Sequence, residues 1–276
     1  MCVEIPKFVK WAGGKSQLIE QFSPYFPKKI NRYIEPFVGS GAVFLHVMKN
    51  YKPKEAIISD VNEELINAYI VIRDDVERLI VELKQHKEYH QLNGKTYFLE
   101  IRKVDVDKLP PLEKAARFIY LNKTCFNGLY RVNSSGKFNV PMGSYKNPDI
   151  VQEDRLREVS KILQNVKISV MSFEKITALA KKGDFIYLDP PYYPLKKGSF
   201  TTYTKDVFLE KEQEKLAEVY KLLDKKGCLV MESNSETDFI KKLYPKFKIN
   251  IVKAKRMINC DGSKRGEINE YVITNY

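Results

Sequence analysis

The residues best placed to do chemistry are Asp189-Pro190-Pro191-Tyr192. They close the run Gly183-Asp184-Phe185-Ile186-Tyr187-Leu188, which reads as a short buried strand that stops abruptly and leaves an acid at its carboxyl end. Open α/β sheets carry their chemistry at that end. Neither proline has an N–H for a ladder, and Asp189 is pushed toward extended backbone, so the carbonyls there are available to a ligand. A carboxylate, a fixed carbonyl and an aromatic ring can together hold a planar amino group. Two acceptors take its two hydrogens while Tyr192 stacks on the ring that bears it. This suits the exocyclic amine of a nucleobase and does not require Asp189 to be a strong base. A surface turn built on Asp-Pro is the competing reading of the same residues.

Such a site needs a pocket beside it, and the first part of the chain provides one. Arg32 to Phe37 forms a strand, Val38-Gly39-Ser40-Gly41 turns, and an apolar helix begins near Ala42. Strand, glycine turn and helix bring backbone N–H groups to an adenosyl or phosphoryl ligand. Phe44 stands where a dinucleotide fingerprint has its third Gly, and there is no Walker phosphate loop. Glu55 to Asp60 is a second strand ending in an acid about 20 residues after the turn, where ribose hydroxyls are bound in Rossmann-like halves. The competing reading of Asp60 is a cap for the helix from Asn62 onward, and the two roles are compatible. The implied ligand is a nucleoside with no evident need for pyrophosphate. Ahead of this lies Trp11-Ala12-Gly13-Gly14-Lys15, with the only Trp, a Gly pair and a cation. It is either a close-approach ligand segment or an anchored strand with Trp11 as a core plug.

From Glu63 to about His90 apolar residues recur near a 3.6 period, and further helical pieces follow at 96–104 and 112–121. Three helices in a row break the strand-helix alternation and mark an insert, jointed at Leu109-Pro110-Pro111-Leu112. Tyr130-Arg131-Val132 and Lys137 to Val140 flank Asn133-Ser134-Ser135-Gly136, which predicts a hairpin. Arg and Asn projecting from such a ribbon fit a DNA major groove, Arg reading guanine and Asn adenine; an ordinary solvated hairpin is the alternative. Alternation then resumes with a helix at 154–163, a strand at 166–171 and the Asp189 strand. A loop over 195–205 and a helix at 209–223 follow. A strand at 227–231 then runs into Glu232-Ser233-Asn234-Ser235, and further strands are expected at 248–254 and 269–274. The basic loop from Lys255 to Gly266 suits phosphate contact or simple solvation.

A chain of 276 residues with 43% apolar content can bury a full core as one large domain or a domain plus an insert. Its 47 basic and 35 acidic side chains leave +12, which favours a polyanionic partner. No apolar run is long enough to span a bilayer and the amino terminus lacks a signal-peptide core, so a cytoplasmic protein without membrane contact is expected. Cys2, Cys125, Cys228 and Cys260 are scattered, which predicts reduced structural thiols, with neither a disulfide framework nor a metal site. His86 and His90 sit four apart without the acid of a zinc-protease motif and are expected on a solvated helix face.

The order and spacing of these motifs resemble the Dam/DpnM-type DNA adenine-N6 methyltransferases (D12 class, alpha group). The likeness runs from the Trp11 segment through Phe37 to Gly41, Asp60, Asn127 to Arg131, Phe138 to Pro141 and Asp189 to Tyr192, and on to Thr274-Asn275-Tyr276. It implies an α/β, Rossmann-like S-adenosylmethionine-dependent methyltransferase fold. Residues 1–62 and 150–276 would form the catalytic domain and 63–149 an inserted target-recognition domain with a helical part and a β-hairpin. It also implies methyl transfer to adenine N6 in double-stranded DNA, at GATC, by base flipping and direct in-line transfer, leaving S-adenosylhomocysteine. The cofactor would be held by Trp11, Lys15, Phe37, Gly39, Gly41, Asp60, Phe173 and Asp189. The flipped adenine would lie between Asp189, the Pro190 carbonyl and the Tyr192 ring. Lys10 and Arg131 would contact guanine, Leu129 and Pro141 thymine, and Phe126 and Asn127 would fill the duplex beside the flipped base. Ser144 departs from relatives that carry Arg there. A monomer is expected.

Overall fold

The computed structural model describes residues 5–194, 208–255 and 267–276. Its sheet has seven strands: β1 (Arg32–Glu35), β2 (Glu55–Asp60), β3 (Val166–Val170), β4 (Phe185–Leu188), β5 (Leu229–Ser235), β6 (Lys248–Lys255) and β7 (Glu267–Thr274). They lie in the order β3-β2-β1-β4-β5-β7-β6. The first five run parallel, while β7 enters antiparallel between β5 and β6. Strand order reverses beside β1 and β4, and a Rossmann-like sheet opens its ligand crevice at that point.

Alternation along the strands assigns side chains to two cores. Tyr33, Ile58, Phe185 and Tyr187 face one core, and Ile34, Ile57, Ile186 and Leu188 the other. The helices are α1 (Ile19–Phe22), α2 (Ala42–Asn50), α3 (Glu63–Asp74), α4 (Val76–Lys103), α5 (Pro111–Thr124), α6 (Glu153–Leu163), α7 (Ile176–Leu179), α8 (Glu210–Lys225) and α9 (Asp238–Leu243). Side chains of α1 to α6 enter the first core, among them Phe22, Phe44, Leu65, Tyr69, Leu79 and Phe118. The second core takes Leu216, Tyr220 and Leu223 of α8 with Ile240 of α9. Helices on both faces explain why β4 is buried at every residue and reads as an unbroken apolar run.

The structure departs from the sequence reading in several places. The periodic stretch expected as one helix is two, because Asp75 breaks the helix at φ −148°, ψ 46°. Asp75 and Asp74 are held instead by Arg78 and Arg73, a local alternative that short acids offer. The pieces expected separately around 90 and 96 are joined in α4 across a kink at Asn93, beside the weak helix former Gly94. His86 and His90 do not lie on a solvated face. His86 stacks on Tyr120 (4.9 Å, 13°) and bonds the Tyr97 hydroxyl, and His90 is buried against the Tyr120 hydroxyl at 2.9 Å. Strand β5 runs four residues further than expected, since Glu232 to Ser235 are buried polar residues with internal partners such as Tyr244 and Gln213.

The hairpin is a tight turn with little regular ladder. Asn133 N–H donates to the Lys137 carbonyl (2.9 Å) and Asn139 N–H to the Arg131 carbonyl (3.0 Å), with one bridge between Val132 and Phe138. The Asn133 side chain closes the turn by accepting from Ser135 and Lys137 N–H. The loop expected at 195–205 and all but Lys255 of the basic loop expected at 255–266, with Cys2 and Cys260, lie outside the described residues; Cys125 and Cys228 are free and buried. Among the described residues no helix is long and apolar enough to cross a membrane, and no three His, Cys, Asp or Glu side chains gather to hold a metal.

Candidate active site

A cleft of about 1760 Å³ opens at the carboxyl ends of β1, β2 and β4. Drug-sized pockets run to about 1,000 Å³, so it has room for more than one guest. Trp11, Lys15, Phe37, Gly39, Asp60, Phe173, Asp189, Pro190 and Tyr192 all line it. Gly41 lies just behind, as the left-handed residue (φ +69°) that starts α2.

The glycines let aromatic rings approach. A β-carbon at Gly39 would come within 2.8 Å of the Trp11 ring, and one at Gly41 within 2.5 Å of the Tyr69 hydroxyl. That hydroxyl donates to the Gly39 carbonyl at 3.0 Å, locking the turn onto α3. Asp60 accepts from Gly39 N–H (3.2 Å) and from Asn62 N–H (3.0 Å). Burial pushes its carboxyl up to about 6, against the pull of the backbone N–H groups of Asn62, Gly39 and Val61. The cap of α3 is the Asn62 side chain, which accepts from Leu65 N–H, so the capping role considered for Asp60 falls to its neighbour. Phe37 stacks on Phe173 (5.4 Å, 26°) and Phe208 packs against both rings.

At the end of β4, Asp189 Oδ1 meets Lys15 Nζ at 2.9 Å and accepts from the Ser233 hydroxyl at 2.8 Å. No described residue contacts its other oxygen. Burial raises the Asp189 carboxyl above its ordinary value, and Lys15 and Ser233 pull it back. Lys15 Nζ also donates to the Gly13 carbonyl (2.6 Å) and lies 4.5 Å from the centroid of the Tyr192 ring. Tyr192 gives its hydroxyl to Glu270 Oε2 at 2.7 Å, and Gln213 donates to the Pro191 carbonyl at 3.0 Å. Deeper, Glu35 is 2% exposed and held by the Tyr33 hydroxyl at 2.6 Å. Burial pushes its carboxyl well above the usual carboxylate range.

The donor set fits S-adenosylmethionine. Phe37 and Phe173 offer a wall for a purine, Asp60 an acceptor for ribose hydroxyls, and the Lys15–Asp189 pair charges for an amino-acid tail. The N-terminal segment is therefore cleft lining, and Trp11 is no deep core plug: it is partly exposed and stacked on Tyr130 at 5.9 Å.

Beyond Trp11 the cleft wall continues into the hairpin. Lys10, Phe126, Asn127, Arg131 and Pro141 are exposed and Leu129 lines the cleft, so the structure brings all six expected DNA contacts together around one turn. Asn122 ties that turn to the N-terminal segment: it pairs with both backbone groups of Lys10 and donates to the Gly128 carbonyl. Asn127 takes a left-handed conformation (φ +54°), which Asn tolerates. Arg131 is oriented by Asn139, whose side-chain oxygen accepts from Nε at 2.7 Å. Tyr130 gives its hydroxyl to Glu64, which pairs with Arg117.

Ser233, Glu270, Asn122 and Tyr130 were given no role in the site by the sequence reading. For Ser233 a signal existed, because Leu188 pairs with Glu232 and so aligns Asp189 with Ser233. It is usable only once β4 and β5 are known to be neighbours.

Comparison with known proteins agrees with this geometry. The profile of the D12 class N6 adenine-specific DNA methyltransferases matches residues 11–258. The chain is 47% identical to the Type II methyltransferase M.MjaIII of Methanocaldococcus jannaschii, over 99% of this chain and 100% of that one. It is 42% identical to the Type II methyltransferase M1.LlaDCHI of Lactococcus lactis subsp. cremoris (99% and 96%). Identity to the DNA adenine methylase of Escherichia coli K12 is 32% (95% and 92%). Cleft, sheet order and sequence together place the chain in the D12 class N6 adenine-specific DNA methyltransferase family, as an enzyme that methylates adenine at N6 in DNA.

Proposed function

We propose that this enzyme methylates adenine in double-stranded DNA at GATC, taking the target base out of the duplex into the cleft beside Asp189. The observation that carries the reading is the Asp189 oxygen that faces the cleft without a bond to any described residue, next to the Pro190–Tyr192 segment, within a cleft whose wall continues into an exposed basic hairpin. Trp11, Lys15, Phe37, Gly39, Gly41, Asp60, Phe173 and Asp189 hold S-adenosylmethionine. When bound, this cofactor would supply a sulfonium methyl group for direct in-line transfer to adenine N6, the S–C bond breaking to leave S-adenosylhomocysteine and the surplus N6 proton passing to water.

The chain's own work is positioning. Asp189 and the Pro190 carbonyl accept the two hydrogens of the amine, which turns the nitrogen lone pair out of conjugation. Tyr192 stacks on the adenine ring and repays part of the few kcal/mol lost on unstacking it. Lys15 and Ser233 oppose the burial that raises the Asp189 carboxyl and so favour its ionised, accepting form, and the acid accepts without acting as a strong base. Lys10 and Arg131 read guanine, Leu129 and Pro141 pack on thymine, and Phe126 and Asn127 fill the gap in the duplex.

Residues 63–149 serve as the target-recognition insert between catalytic halves 1–62 and 150–276. The enzyme works as a monomer in the cytoplasm. Relatives named as Type II methyltransferases support a place as the modification half of a restriction-modification pair.

The test is methyl incorporation from labelled S-adenosylmethionine into GATC and scrambled duplexes, with methylated adenines mapped in DNA from an expressing host. Label confined to adenine of GATC is expected. Label at another site removes the GATC assignment, and label in neither duplex removes the whole reading. Asp189→Ala should abolish turnover while duplex affinity by anisotropy stays largely in place.

A further inference from the structure

We infer that Glu270 is a positioning residue that sets the plane of the Tyr192 ring, and with it the surface on which the target adenine stacks. The inference rests on the stacking role proposed for Tyr192. Pro190 and Pro191 fix the backbone that leads to Tyr192, but they leave its two side-chain torsions free. A stacking platform has to be held within about 10 to 20° of its working orientation, and the restraint must come from outside the segment.

The structure supplies it from two strands away in the sheet. Tyr192 donates its hydroxyl to Glu270 Oε2 at 2.7 Å, a charge-assisted bond. Glu270 is 7% exposed and belongs to β7, where it lies opposite Ser235 of β5. Two residues earlier on β5 is Ser233, which holds Asp189 and is itself bonded to the Tyr187 hydroxyl at 2.8 Å. The acid and the ring, three residues apart at the end of β4, are thus both anchored to one antiparallel strand pair. Lys15 lies over the ring and limits its motion along the stacking direction, while the Glu270 bond decides its tilt. A carboxylate this buried is costly unless it is bonded, and an apolar residue would close the sheet more cheaply. The bond to Tyr192 is one that compensates this burial.

Single-turnover and steady-state kinetics on the full chain test this, with a duplex carrying the mapped site and a matching duplex with 2-aminopurine at the target position. Glu270→Ala should lower kcat about tenfold or more, while cofactor Kd and the KM for DNA stay within about twofold. Glu270→Gln should recover most of the loss, because its side-chain oxygen accepts the same hydroxyl. Tyr192→Phe removes the bond from the other end and should reproduce the loss. The double variant Tyr192→Phe/Glu270→Ala should be no slower than Glu270→Ala alone, since the Tyr192–Glu270 bond is already absent there. If Glu270→Ala does not fold, Tyr192→Phe and Glu270→Gln decide alone. A harmless Tyr192→Phe, a Gln variant as slow as the Ala variant, or losses that multiply in the double variant would overturn the inference. The 2-aminopurine emission separates this from the reading beneath it: no rise on binding the wild-type enzyme sinks base extrusion itself. A wild-type rise with unimpaired turnover in Glu270→Ala sinks only the role of Glu270.

Discussion

The ribose-binding role proposed for Asp60 predicts a pH dependence of cofactor binding. Its carboxyl moves from 3.8 to about 6 on burial. Between those values the folded chain keeps a proton that the unfolded chain has released, so this group's contribution to stability is full below 3.8 and is lost as pH rises through 6. Cofactor binding runs the other way, because the ionised acid is the better acceptor for ribose hydroxyls. Calorimetry should find S-adenosylmethionine affinity rising as pH climbs through about 6, and Asp60→Asn should be weaker by about tenfold at neutral pH, with that rise abolished. A wild-type titration that is flat across the same range would remove Asp60 from the pocket. Asp60 was legible in the sequence because it combines an unusual residue at a strand end with a fixed distance from a glycine turn. Asp189 and Tyr192 were legible for a similar reason, the prolines between them. Ser233 and Glu270 were not, because their partners are set by which strands become neighbours, and no local pattern encodes that.

At the scale of elements, the join between β1 and α2 is the most constrained segment. Gly41→Ala puts a β-carbon at a positive φ and 2.5 Å from the Tyr69 hydroxyl, and should cost about 1 to 3 kcal/mol by denaturant unfolding. Adding Tyr69→Phe removes the clash but not the backbone strain, so it should restore part of that loss. No recovery would place the whole cost in the backbone. In the hairpin, Arg131→Ala should relax sequence choice by about 1 to 3 kcal/mol if it reads a guanine. Asn139→Ala should shift choice the same way by less, since it only orients Arg131. Competition between cognate and single-mismatch duplexes measures both. The strands were placed within a few residues from composition alone, whereas the break at Asp75 and the join across Asn93 were missed. Apolar periodicity continues through both, and the interruption lies in backbone angles that short polar side chains permit. The hairpin's turn was readable from Asn133 to Gly136, but a two-stranded ribbon with a regular ladder was more than its hydrogen bonds deliver.

For the molecule as a whole, a net charge of +12 already pointed to a polyanion, and the exposed cations at the mouth of the cleft give that charge a location. Duplex affinity should fall steeply with salt, with log K declining by about 0.9 per log salt for each phosphate contact. Anisotropy titrations at several salt concentrations measure the slope, and a shallow slope would mean that the excess charge lies elsewhere. Composition could not show that both ends of the chain complete one cleft. Lys15 and Glu270 stand near opposite ends of 276 residues, yet both touch the Tyr192 side chain. A ribosome must therefore have passed residue 270 before that tyrosine has both of these neighbours. A prematurely terminated product lacking β7 would still carry the hairpin, but its tyrosine would have lost its anchor.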